Sequence, residues 1–565
     1  MIRAVKLGIM KVAYTRLNFA ERGFIPRGEK KFLGPLAGSI DDGIESTASI
    51  LISGDKALIS SPDGRFRSES RGSFHDRVIA QGLCDDRKAA RIITERTPVA
   101  DGDFLLRRPW VLVVVLTCVA TSTAFMQTLV VPIQNHLPEL LDAPRSATAW
   151  VLTIALLVAA VTTPISGRLG DILGMRRVMI ALLAMMTLGS LIAALSGELT
   201  WLLVGRALQG VSMGATAVGI SMMSLVDNRK IRIAGISIIS SSMGFGGAIG
   251  LPLAAWIAES GDWKLLFWAT AVLGTINLIA VLFVVPSTDR LRQRFDWLGA
   301  LMLSAGLGGI LVAVSQGPVW GWSSLATLGL GGTGIVVLFV WGLHELRTRD
   351  PLIDLRIMSK FPLLMVSLGS IALGFAFFVQ EVSFLQILEL PVRTEAGLGL
   401  SILWASMALV PCSLAMMAVA PLAATMTDRF GARVTAVLGS VISMVGYLIS
   451  VVWHAEVWQL IIASVFALAG VAIGYAAIPT LVMAEVPYSM TGSAIGVNAL
   501  MRSVGTSSGA TVTGMVLAVQ LESSAGFAAP SPGGFAVSFW LGFVAAALAA
   551  VLFWISGRRR PGVLL

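Results

Sequence analysis

Two apolar segments are joined by Gly167-Arg168-Leu169-Gly170-Asp171-Ile172-Leu173-Gly174-Met175-Arg176-Arg177, and the same skeleton returns as Asp428-Arg429-Phe430-Gly431-Ala432-Arg433. Both copies read D-x-x-G-x-R between apolar runs. Two further matches keep nearly the same spacing. Gly210 to Gly214 answers Gly470 to Gly474, and Phe125-Met126-Gln127 answers Phe378-Val379-Gln380. The offset stays between 253 and 260 residues, so chance is a poor explanation. The chain is built from two copies of one unit.

Each unit is a series of segments long enough to cross a bilayer. A helix rises about 1.5 Å per residue, so roughly 20 apolar residues span the hydrocarbon core. From Trp110 onward such runs begin near Trp110, Ala149, Val178, Trp201, Ile233, Leu265, Leu298, Leu325, Leu363, Leu400, Val434, Trp458, Thr491 and Phe535. Fourteen transmembrane helices are therefore expected. Of these, the seventh and eighth form a central two-helix insertion between two six-helix halves. Composition agrees, with 55% hydrophobic and 13% charged residues where a soluble domain carries about 25% charged.

The net charge of +9 raises the question of nucleic acid. No basic run is interleaved with aromatics as base stacking needs, so none is expected as a partner. The positive residues instead occupy every second loop: Arg168, Arg176 and Arg177, then Arg229, Lys230 and Arg232, then Arg290, Arg292 and Arg294, then Arg347, Arg349, Arg356 and Lys360, then Arg429 and Arg433. The intervening loops hold only Arg145, Lys264 and Arg393. By the positive-inside rule both termini lie in the cytoplasm of a multi-pass inner (cell) membrane protein. The three cysteines and four histidines show no C-x-x-C or H-E-x-x-H spacing, and there is no G-x-x-x-x-G-K-[ST] loop. Neither a metal nor a nucleotide cofactor is expected. Gly329 to Gly334 matches G-x-G-x-x-G, but it lies in an apolar run with no strand before it. Close helix packing explains it.

Residues 1–105 are polar and rich in Arg, Lys, Asp, Gly and Ser. They are expected to form a disordered cytoplasmic extension, or to reflect a start assigned too far upstream. The domain plan is then 1–105 extension, 106–288 first half, 289–350 insertion, 351–557 second half and 558–565 cytoplasmic tail.

The loop from Gly167 to Arg177 resembles the signature G-x-L-x-D-x-x-G-x-R-R of the major facilitator superfamily. Leu203 to Gly214, with Arg206, Gln209 and Gly210, is similar to the fourth-helix motif of its proton-driven exporters. Pro351-Leu352-Ile353-Asp354 resembles the connector of the fourteen-span drug:proton antiporters, and Asn498 to Gly505 resembles a run in their actinobacterial members. The resemblance covers about Trp110 to Arg560. It implies an all-α polytopic major facilitator fold, with the substrate site between the halves. It also implies a cytoplasmic latch of Gly167, Asp171, Gly174, Arg176 and Arg177, matched by Asp428, Gly431 and Arg433. Two departures stand out. The first-helix acid of the family is replaced by Gln127. The fifth-helix exporter motif keeps Gly244, Gly246 and Gly250, but its proline, Pro252, falls one place late and its last glycines are Ala254 and Ala255.

Ionisable side chains cost roughly 2.5–3.5 kcal/mol in mid-membrane and normally face a cavity. Arg206, Glu381 and Arg502 fall inside spans, with Gln127, Gln209, Gln380 and Asn498 adding polarity. Glu381 is the expected proton carrier, tuned by desolvation against a neighbouring Arg, with Glu485 as the next candidate. The expected function is a monomeric, proton-coupled exporter of small amphiphilic molecules, drugs or metabolites, with small-molecule substrate, protons and the lipid bilayer as partners. An importer or uniporter of a nutrient fits the same fold. A polytopic membrane transferase would need a catalytic constellation that the sequence does not offer.

Overall fold

A computed structural model describes residues 109–557, except 131–132, 134–136, 261, 288–292 and 525–526, together with the backbone of strands at 50–53, 56–60 and 66–70. The chain divides into two compact units, Met1–Pro98 and Val99–Leu565.

In the first unit, β1 (Ile50–Ser53), β2 (Lys56–Ser60) and β3 (Phe66–Ser70) pair as an antiparallel sheet with Leu51 opposite Leu58 and Ile59 opposite Arg67. These strands lie within the segment expected as an extension. The runs Ile50-Leu51-Ile52 and Ala57-Leu58-Ile59 are rich in β-branched and apolar residues and have strand propensity. The rest of the extension, and the tail 558–565 with its expected cytoplasmic arginines, lie outside the described residues.

Among its described residues the second unit holds fourteen long helices in the predicted places. They are α1 (Pro109–Thr128), α2 (Trp150–Leu173), α3 (Met175–Leu195), α4 (Leu199–Leu225), α5 (Arg229–Ser260), α6 (Lys264–Val284), α7 (Trp297–Trp320), α8 (Leu325–Arg347), α9 (Phe361–Glu389), α10 (Ile402–Phe430), α11 (Ala432–Val452), α12 (Val457–Glu485), α13 (Thr491–Val519) and α14 (Pro532–Ile555). Helices dominate because a bilayer offers no water to unpaired backbone groups. Among the described residues thirteen of them are long and apolar enough to cross a membrane. The exception is α13, which has the length but carries Asn498, Arg502 and many Gly, Ser and Thr residues. It lies along α2 and α9, so helices rather than lipid meet much of its polar surface. A short hairpin, β4 (Leu521–Ser524) with β5 (Phe527–Pro530), joins α13 to α14.

Two turns explain the signature glycines. Gly174, between α2 and α3, has φ 95°, and Gly431, between α10 and α11, has φ 86°. L-residues rarely adopt such angles, and glycine does so without steric cost. The two six-helix halves meet through α2 against α13 and α5 against α10. Under the internal repeat α2 corresponds to α10 and α5 to α13, so the interface uses one helix pair twice. The inserted hairpin, α7 with α8, packs outside this core against α2. The face of α8 carrying Leu325, Leu328, Ile335, Val336 and Phe339 is exposed, as a lipid-facing surface would be.

Because the helical unit begins at Val99, removing residues 1–98 should leave membrane insertion and the thermal unfolding temperature unchanged. The check is detergent-extracted yield and a melting scan beside the full chain; a lower melting temperature would tie the extension to the fold.

Candidate functional site

At one end of the bundle the carboxylate of Asp171 reaches from α2 to the first turn of α13. Its Oδ1 accepts the Gly492 N–H and its Oδ2 the Ser493 N–H, both at 2.8 Å. A helix N-terminus has unpaired N–H groups and the positive end of the macrodipole, so a carboxylate there is doubly favoured. Asp171 is only 6% exposed, with Arg168 as a charged neighbour. The reach depends on Gly167, where an added Cβ would stand 2.2 Å from the Gly492 carbonyl oxygen.

Asp428 occupies the repeated position but has a different partner. It pairs with Arg229 at the start of α5, 3.0 Å away, and Arg229 is 63% exposed. The two aspartates both bridge the halves, yet they are not equivalent: one is capped by buried backbone, the other by a solvated guanidinium. The arginines beside Asp171 serve helix ends. Arg176 donates to the Leu282 carbonyl of α6 at 2.6 Å and Arg177 to that of Leu173 at 3.1 Å. Arg433 instead stacks over Trp554, 4.8 Å from the ring centre.

On α5, small residues permit close approach. Gly246 lies against Ala124 and Phe125 of α1, Gly250 against Thr128, and Gly244 against Met416 of α10. Pro252 lies within the same helix, where it removes one backbone hydrogen bond.

The intramembrane polar residues fall into three groups. Arg206 is fully enclosed, donating to the carbonyls of Val151 at 3.0 Å and Met126 at 3.4 Å and to Gln209 Oε1 at 2.8 Å. Gln209 passes the chain on to Ser190 at 2.8 Å. Every one of these partners belongs to the first half, and Glu381 is not among them. Gln127 sits half-buried near the end of α1. In the second half, Gln380 is buried and donates to Ser464 at 2.8 Å, while its Oε1 has no partner.

The third group faces inward. Arg502 lies over the ring of Tyr475 on α12, 5.0 Å from its centre. Tyr475 has both Arg502 and Glu381 as charged neighbours, and its buried hydroxyl is unpartnered. Glu381 itself is half-buried and, among the described residues, makes no hydrogen bond or ion pair. Next to them Asn498 donates to Ser370 at 2.7 Å, and Thr123 and Thr216 share a hydrogen bond at 2.9 Å. A small cleft between the halves is lined by Thr216, Ser370, Tyr475, Asn498 and Arg502, with Ile220, Ile478 and Ile495 as its apolar wall. Sequence reasoning missed Tyr475, Ser370 and Thr216. Tyr475 was findable, being one of four tyrosines in the chain and directly following the repeated Gly470–Gly474 stretch. Serine and threonine in a span are too common to single out.

The family model of the Major Facilitator Superfamily matches residues 115–510. The chain belongs to that superfamily. It is a multi-pass membrane transporter of small molecules and not an enzyme. It is 28% identical over 386 residues to the multidrug resistance protein Stp of Mycobacterium tuberculosis (strain CDC 1551 / Oshkosh), covering 66% of this chain and 70% of that one. Among solved structures, the human organic anion transporter MFSD10 (TETRAN) aligns with a TM-score of 0.56 at 15% identity, over 78% of this chain and 99% of that one. The proton:xylose symporter XylE aligns with a TM-score of 0.54 at 15% identity, over 80% and 96%. These two likenesses establish the shared fold.

Hydrogen bonds to a charged group contribute about 1.5–3 kcal/mol each, whereas exposed ion pairs contribute about 0–1 kcal/mol. Asp171→Asn replaces one acceptor with an amide donor facing a backbone N–H. It should therefore shift the balance toward opening at this end by at least about tenfold, since about 1.4 kcal/mol is a factor of ten. Asp428→Asn should change it by less than about fivefold, as expected for a largely exposed pair. Thiol-labelling rates of cysteines placed where α2 meets α13 read this directly; equal effects of the two variants would refute the asymmetry.

Proposed function

We propose that this transporter is a proton-coupled exporter of small amphiphilic compounds, working by alternating access between the two halves, with both termini in the cytoplasm of the cell membrane. The observation that carries this reading is Glu381. It is a carboxylate inside a span, without hydrogen bond or ion pair among the described residues, one helix away from the stacked pair Tyr475 and Arg502 at the cleft between halves. Intramembrane acids are costly and mark proton relays or substrate pathways. An acid already satisfied by a fixed partner would be a structural ion pair, and Arg206, bound wholly within its own half, leaves Glu381 available.

In this reading Glu381 takes a proton when the cleft opens outward and loses it when the cleft opens to the cytoplasm. Substrate binds after the proton leaves, so a proton moves in for each compound moved out. The Asp171 and Asp428 bridges would close the cytoplasmic end and must part once per cycle. The cleft wall joins three isoleucines to Arg502, Asn498 and Thr216, a lining suited to a compound with an apolar body and a polar end. The likeness to Stp, a multidrug resistance protein, supports export of drug-like compounds.

Glu381→Gln keeps a hydrogen-bonding group of the same size but cannot release a proton. Substrate binding should survive, while proton-driven flux should fall by two or more orders of magnitude, in line with losing an essential proton step. Glu381→Asp should retain part of the flux. The measurement is uptake into inside-out liposomes under an imposed pH gradient; continued concentration of substrate by Glu381→Gln would move the carrier elsewhere, with Glu485 at the end of α12 next in line.

A further inference from the structure

The inserted hairpin carries titratable side chains that the transport cycle leaves unused. Asp296 precedes α7 and caps it, its Oδ1 accepting the Gly299 N–H at 2.8 Å. His344, in the last turn of α8, meets Asp296 Oδ2 through Nε2 at 2.9 Å. The next residue, Glu345, is only 2% exposed. Its Oε2 accepts the Ile353 N–H at 3.4 Å, and its Oε1 is buried with no hydrogen-bond partner. That bare oxygen and Asp296 Oδ2 both lie against Gly299, where an added Cβ would stand 2.6 Å from Asp296 Oδ2 and 2.8 Å from Glu345 Oε1, so the two carboxylates are close neighbours. The indole N–H of Trp341 is beside Glu345 but meets neither oxygen in hydrogen-bonding geometry.

Two dry carboxylates side by side repel if both are ionised. Asp296 is committed as an acceptor to a backbone amide and to His344, which leaves Glu345 Oε1 as the place for a shared proton. We propose that Asp296, His344 and Glu345 form a proton-binding site at the end of the inserted hairpin, distinct from the transport cleft, and that a proton on Glu345 holds the connector 351–354 against the hairpin. Among the described residues, the charged groups that act on Glu345 are Asp296 and His344. Arg347 and Arg349 are exposed, Arg356 donates to the Leu346 carbonyl, and Asp354 caps the short helix Leu355–Met358. Arg168 of α2 is a charged neighbour of Asp171.

What the connector touches gives the site a consequence. Leu352 and Ile353 are buried in one apolar cluster with Leu303 of α7, Trp341 of α8, Val161 of α2 and Val497 of α13. The last two helices are those that Asp171 joins. Loss of the proton sets a second negative charge beside Asp296, drives Glu345 off, and leaves the Ile353 N–H without its acceptor. The hairpin then loosens its hold on the α2–α13 contact. The connector Pro351-Leu352-Ile353-Asp354 thereby acquires a physical task, which is to read the protonation of the hairpin.

The test uses the full chain in lipid nanodiscs over a pH series. Infrared spectra should show a protonated carboxyl stretch at pH 7 that vanishes in Glu345→Gln. Hydrogen exchange of residues 351–358 in the wild type should match Glu345→Gln at low pH and exceed it by about tenfold at high pH, the scale of one lost hydrogen bond. Glu345→Ala should exchange fast at every pH, and it serves the same purpose if Glu345→Gln fails to fold. A wild type lacking the infrared band, or one that exchanges like Glu345→Gln throughout, would overturn the proposal.

Discussion

The close approach of α2 to α13 governs much of this molecule. Gly167 and Gly492 face each other so tightly that a Cβ on Gly167 would meet the Gly492 carbonyl oxygen at 2.2 Å, and one on Gly492 would meet the Gly167 carbonyl oxygen at 2.4 Å. Without that contact Asp171 could not reach two N–H groups of α13, and the two halves would lose their one buried charged bridge at this end among the described residues. Small residues matter more here than in a soluble core, because lipid supplies no hydrophobic drive for helix association and packing must do so. The same logic recurs at Gly496, whose added Cβ would lie 2.9 Å from Pro164. Two glycines one turn apart on α13, Gly492 and Gly496, accept α2, and the polarity of α13 is tolerated because helices cover it.

That contact also explains where the sequence was legible and where it was not. The D-x-x-G-x-R repeat, the apolar runs and the alternation of basic loops yield the helix order, since each rests on local composition and on what a bilayer permits. The difference between Asp171 and Asp428 was not legible. Both sit in the same local pattern, and only the chain brought opposite each of them, backbone of α13 in one case and Arg229 in the other, sets them apart. The extension was hard to read for the opposite reason: its polar average hides two apolar runs, at 50–52 and 57–59, that are short and pair as strands.

Arg206 and Glu381 show why burial inside a span does not by itself identify a working residue. The guanidinium has five donors, and three of its contacts here are to groups of its own half; moving one half against the other leaves them intact. It braces α4 against α1 and α2, a structural task that also accounts for the fourth-helix pattern of Arg206, Gln209 and Gly210. Glu381 differs in having no fixed partner. A group left with unmet electrostatic demand in a region that must open and close is sensitive to which face of the cleft is wet. Sequence placed both residues in spans at similar depth, but only the census of partners separates brace from candidate carrier.

The inserted hairpin can be understood in the same terms. Its lipid-facing surface is apolar and unremarkable, and most of its packing is internal, α7 on α8. What distinguishes it is the polar knot at one end, where a helix cap, a histidine and a buried glutamate converge beside the connector to α9. A twelve-helix core would need only a flexible linker between its halves, and a hairpin serving merely as a spacer would have no reason to retain a buried carboxylate oxygen without a partner. Such a group costs about 1–3 kcal/mol when left unmet. Its retention at the one point where hairpin, connector, α2 and α13 share an apolar cluster argues that the insertion is coupled to the core through chemistry rather than through length alone.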